Sequence, residues 1–88
     1  MMETIGFLEL NSIAKGVEVA DIVLKTAAVD LVFSRSGCPG KYYLLFTGEV
    51  AAVKASIDAG INTPAAEGML VSSVVIPSPH PGLLDSLM

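Results

Sequence analysis

The spacing of apolar positions switches between a period of two and a period near 3.6 along this chain, and each switch marks an element. Residues 4–11, TIGFLELN, are apolar on both faces, which predicts a central, buried strand. Ser12 is a residue type suited to cap a helix N-terminus. Residues 13–28 then follow helical spacing, with Ile13, Val17, Ala20, Leu24 and Ala27 in one stripe and Lys15, Glu18, Asp21 and Lys25 roughly opposite. Asp21 and Lys25 form an i,i+4 pair. Val19, Ile22 and Val23 widen the apolar face beyond what one sheet needs, so a second protein surface is expected over the excess.

Residues 29–35, VDLVFSR, alternate Val29, Leu31 and Phe33 against Asp30, Val32 and Ser34, which predicts a strand. The turn Ser36-Gly37-Cys38-Pro39-Gly40 leads to a third strand, residues 41–47, antiparallel to the second. Gly48 and Glu49 open a second helix, with Val50, Val53 and Ile57 inward and Lys54 and Asp58 outward. Its alanines, Ala51, Ala52, Ala55 and Ala59, predict a close-packed neighbour, and Gly60 and Pro64 stop it. Residues 69–76, MLVSSVVI, read as a fourth strand that Pro77, Pro79 and Pro81 end, and the tail GLLDSL is expected to make a helical turn. The order is β-α-β-β-α-β. It predicts an α+β, ferredoxin-like fold: a four-stranded antiparallel sheet with both helices on one face and the other face open. No internal repeat or linker divides the chain, so residues 1–88 are expected to form a single domain.

Composition changes this picture in one respect. The 88 residues are 52% hydrophobic and only 16% charged. A domain this small has a large surface for its volume, and so few charges cannot cover it. Oligomerisation is therefore expected. The net charge of -4 and the scatter of Lys15, Lys25, Arg35, Lys41 and Lys54 leave no basic patch for nucleic acid. No apolar run approaches the roughly 20 residues that span a membrane, and Met1-Met2-Glu3-Thr4 lacks the basic start of a signal peptide. One thiol without a pair suits a reducing cytoplasm.

Candidate chemistry is sparse. Glu3, Glu9, Glu18, Glu49 and Glu67 show no recognisable acid/base spacing, and the single Cys and single His are far apart in sequence. Gly37 and Gly40 lie between strands rather than before a helix, so they do not make a phosphate loop. Tyr42 and Tyr43 read as strand packing. No enzyme activity is expected. Cys38 has no partner thiol within the chain, so what it does depends on how many copies of the chain meet at its turn.

The stretches IGFLEL at 5–10, GVEVADIVLKTAAVDLV at 16–32, GEVAAVKASIDAG at 48–60 and VIPSPH at 75–80 together resemble the bacterial microcompartment (BMC) shell-protein family. The resemblance runs from Ile5 to about Pro81. It implies a cyclic hexamer, or a trimer of tandem domains, that tiles with other shell proteins into the shell of a metabolic organelle in the bacterial cytoplasm. It also implies that the hairpin Ser36, Gly37, Cys38, Pro39 and Gly40 lines a central pore for small molecules. Lys25 matches the family's edge lysine, and His80 is kept at the edge. Ser78 stands where the family usually carries arginine, which removes edge hydrogen bonds that need a guanidinium fork.

The stretch CPGKYYLL resembles a tandem-domain subgroup in which this turn cysteine, from three subunits, binds a [4Fe–4S] cluster at the pore. Such clusters take thiolate ligands, and three-fold symmetry delivers three from one cysteine per chain. A hexamer would instead place six thiolates around a cube of four irons. A cluster, disulfides and a ring of free thiols therefore all remain open for Cys38, and the direction of Lys41 beside it is unassigned by sequence.

Overall fold

The computed structural model describes residues 4–37 and 39–77. In chain order they form β1 (Thr4–Leu10), α1 (Ile13–Thr26), β2 (Val29–Gly37), β3 (Lys41–Gly48), α2 (Val50–Ile61), a 3₁₀ turn (Pro64–Ala66) and β4 (Leu70–Ile76). The strands make one antiparallel sheet in the order β2-β3-β1-β4. The expected βαββαβ plan is present, with β2 and β4 as its two edges. The expectations for Cys38, Ser78, His80 and the GLLDSL tail lie outside the described residues.

Both helices cover the sheet face that carries Leu8, Leu10, Tyr42, Leu44 and Phe46, where Val19 and Val23 of α1 meet Val53 and Ile57 of α2. Burying an aliphatic side chain of this size stabilises the fold by roughly 1.5–3 kcal/mol. Two glycines let the layers approach. A Cβ on Gly6 would lie 2.7 Å from the Phe46 ring, and one on Gly16 only 2.4 Å from the Tyr42 ring. Ser12 does cap α1, its hydroxyl accepting from the Lys15 amide at 3.1 Å.

The structure corrects several expectations about which positions face inward. The buried face of α1 is Gly16, Val19, Ala20 and Val23. Ile13, Val17 and Leu24 of the expected stripe are exposed. A helical face about 100° wide can be drawn through either set, and the flat contact of Tyr42 on Gly16 selects the second. The helix also ends at Thr26, short of Ala28. On α2 the inward residues are Val53, Ser56, Ile57 and Gly60, while Val50 is exposed in the first turn. In β2 the register on β3 slips between Leu31 and Phe33, so Val32 is an extra residue and the strict alternation expected over 29–35 breaks there. Leu31 opposes Phe46 on the helix side, whereas Phe33 opposes Leu45 on the other. The second face is also less open than expected, because Ile5 and Leu45 on it are fully buried.

Ser56 is wholly buried, and its hydroxyl has no hydrogen-bond partner among the described residues. An unpaired buried hydroxyl costs about 1–3 kcal/mol relative to a satisfied one. Ser56→Ala is therefore expected to leave stability unchanged or raise it by about 1 kcal/mol, read as an unchanged or higher urea midpoint with the same slope.

Candidate functional site

The β2–β3 hairpin is longer and tighter than the sequence pattern implied. Ser36 and Gly37 belong to β2, with Ser36 opposite Tyr42 and Gly37 opposite Lys41. Only residues 38–40 connect the strands. Gly40 sits at φ +68, a left-handed conformation that strains any residue with a Cβ. Among the described residues, its own chain neighbours aside, nothing lies within 4 Å of where a Cβ on Gly40 would be, and Pro39 and Gly40 are exposed. Pro39 and Gly40 therefore stand out from the sheet.

Its base, by contrast, is held firmly on the face away from the helices. Gly37 packs on the Tyr43 ring, where an added Cβ would come within 2.6 Å of Cε2. Tyr43 stacks in turn on Phe7 of β1, with centroids 6.2 Å apart and planes inclined by 26°. Next to this stack, the Lys41 ammonium lies 3.3 Å from a carboxylate oxygen of Glu9, and both side chains are partly buried. The Ser72 hydroxyl of β4 donates to the other Glu9 oxygen over 3.4 Å. The direction of Lys41, unassigned by sequence, is thus back along the sheet toward Glu9. Tyr42 and Tyr43 do act as packing residues, one on each face.

Beyond this cluster the same face is apolar. Ile5, Phe7, Leu45, Val74 and Ile76 line a groove along β3, β1 and β4. Arg35 lies over the Phe33 ring at 4.4 Å, near the β2 edge. Lys25 is far from the turn in sequence and stands in the last turn of α1, exposed and paired with Asp21 at 3.0 Å. Among the described residues no three His, Cys, Asp or Glu side chains gather into a metal site.

Sequence reasoning did not find Glu9 as part of this site. The available signal was a carboxylate within the otherwise apolar run IGFLEL, but linking it to Lys41 requires the β1–β3 register, in which Glu9 opposes Tyr43.

The hairpin-bearing, helix-backed sheet defines a small α+β domain whose edges and turn are presented rather than buried. Residues 4–79 match the family model described as "BMC domain". This chain belongs to that family. It is 46% identical over 87 residues to the bacterial microcompartment shell protein PduT of Citrobacter freundii, covering 99% of this chain and 46% of PduT. It is 38% identical over 79 residues to the bacterial microcompartment shell protein EutM of Salmonella typhimurium, covering 90% of this chain and 82% of EutM. A crystal structure of a microcompartment protein from Desulfitobacterium hafniense superposes with a TM-score of 0.88 at 44% identity, over 99% of this chain and 47% of that one. The chain thus spans about half the length of two of these relatives and most of the third.

Proposed function

We propose that this chain is a structural subunit of a bacterial microcompartment shell, forming a homo-oligomeric ring whose β2–β3 turns surround a pore for small molecules. The observation that carries this reading is the placement of exposed apolar side chains on both edges of the sheet. Leu31 stands exposed on β2, and Leu70, Val71 and Val74 stand exposed on β4. Two different sticky edges on opposite sides of one subunit favour head-to-tail contacts, and such contacts close into rings when the rotation between neighbours allows. Residues 1–88, taken as one BMC domain, would close as a hexamer. Two such domains joined in one chain would close as a trimer. The role is structural rather than enzymatic, and its setting is the shell in the cytoplasm, beside other shell proteins.

In the same reading, Lys25 lies at the rim, where rings meet. Its exposed position on α1, paired only with Asp21 of the same helix among the described residues, supports this. Ser78 and His80 complete the rim, with Ser78 unable to supply a guanidinium fork.

A narrower reading adds an iron–sulfur cluster held by Cys38 from several subunits. What favours it is a lone thiol in a turn with free space beside Gly40. When bound, the cluster would supply one-electron chemistry at the pore, while this chain's part is to fix the turn that presents the thiol.

Cys38 tests the pore itself. In the assembled protein a short bis-maleimide is expected to join Cys38 of one subunit to Cys38 of another, giving a ladder on a denaturing gel. Products of single-chain mass alone would contradict convergent turns. For the cluster, anaerobic reconstitution is expected to give brown protein absorbing near 400 nm (a typical iron–sulfur band) that Cys38→Ser abolishes, and iron-free protein would refute it.

A further inference from the structure

The Glu9–Lys41–Ser72 group is the one partly buried polar cluster on the sheet face that carries the turn, among the described residues. Lys41 is 27% exposed and Glu9 20%, against 74% and 60% for Lys25 and Asp21. The contacts bind three strands together: Lys41 on β3, Glu9 on β1 and Ser72 on β4. Lys41 is three residues after Cys38, so its α-carbon lies within about 10 Å of the thiol-bearing residue's α-carbon by chain length alone. An ammonium free to swing toward the turn would place a positive charge there, within about one Debye length. Glu9, supported by Ser72, holds it back on the sheet and neutralises it.

We propose that Glu9 is a positioning and charge-compensating residue that keeps the Lys41 charge out of the β2–β3 turn. The consequence for what passes a ring rests on the pore reading given above: each subunit then presents a turn without its nearest lysine charge, so the opening is shaped by backbone and thiol rather than by a ring of ammonium groups. The restraint on Lys41 itself does not depend on that reading.

The test uses the Cys38 thiol as a probe of local potential. Its rate is measured with dithiobis(nitrobenzoate), a dianion, and with neutral dithiodipyridine. Both reagents consume the thiolate, so the ratio of rates removes changes in thiol ionisation and in general access. Glu9→Gln is expected to raise the anionic-to-neutral ratio about two- to five-fold at low salt, collapsing near 1 M salt, where the Debye length is about 3 Å. In the Lys41→Met background the same Glu9→Gln change is expected to have a smaller effect, that of removing the Glu9 charge alone, because no ammonium is released toward the turn. Ser72→Ala alters no charge and is expected to move the ratio the same way by a lesser factor. Equal factors for Glu9→Gln in both backgrounds, with no effect of Ser72→Ala, would overturn the proposal. The chemistry reads the turn in a free chain as well as in a ring, so that result leaves the bis-maleimide test of the pore standing.

Discussion

Leu31→Asp is expected to turn the assembled protein into monomers that keep their fold. Leu31 is 47% exposed on the β2 edge, so its replacement changes the isolated subunit little. In the proposed ring the same position would be buried once per interface. Each copy then loses about half of the roughly 1.5–3 kcal/mol that full burial of a leucine is worth, and must desolvate a carboxylate without a partner. Even the first term alone weakens each contact by about three- to ten-fold. A ring needs every contact, so the effect on assembly is steep. Val71→Asp on the opposite edge is expected to act in the same way, because the proposed head-to-tail contact would join the two edges. Sedimentation velocity checks both variants: single-chain species with native circular dichroism are expected, and a ring unaltered by either change would place the contact elsewhere.

Gly16→Ala is expected to have the largest effect within the subunit. The added methyl would sit 2.4 Å from the Cγ and Cδ2 atoms of Tyr42. Tyr42 is buried between α1 and the sheet and cannot turn aside without opening the core. Overpacking of this kind costs about 1–3 kcal/mol and occasionally more. The helix propensity gained on leaving glycine returns up to about 1 kcal/mol, so a net loss of about 1–2 kcal/mol is expected. For a domain of this size that lowers Tm by roughly 4–16 °C. Gly16→Ala combined with Tyr42→Leu is expected to recover part of the loss, since the smaller side chain removes the clash. Calorimetry at fixed protein concentration checks both, because assembly makes Tm depend on concentration.

Much of the architecture was legible in the pattern of residues, because strands and helices of this length carry distinct periods. Glycine at the hairpin and the Ser12 cap marked boundaries for local, chemical reasons. The facing of α1 was not legible. Apolar residues occupy more than half of its circumference, and the choice of Val19 and Val23 over Val17 and Leu24 is made by Tyr42, a residue that reaches Gly16 only once β3 is in place. The bulge at Val32 was hidden for a similar reason, since it exists only relative to the partner strand. At the turn, the glycines and the lone thiol were visible from sequence. The clamp beneath them was not, because Glu9, Lys41 and Ser72 come from three strands and meet only through sheet register.

The surplus of apolar surface is the thread that joins composition, fold and function. A chain 52% hydrophobic and 16% charged fills its core with part of that surplus and sets out the remainder on two edges of the sheet and the outer side of α1. The central claim is that those edges meet one another around an axis. Native mass spectrometry of the unmodified 88-residue chain tests this most directly. A closed complex of six chains that Leu31→Asp disperses is expected; a spectrum holding only single chains at micromolar concentration would contradict the ring.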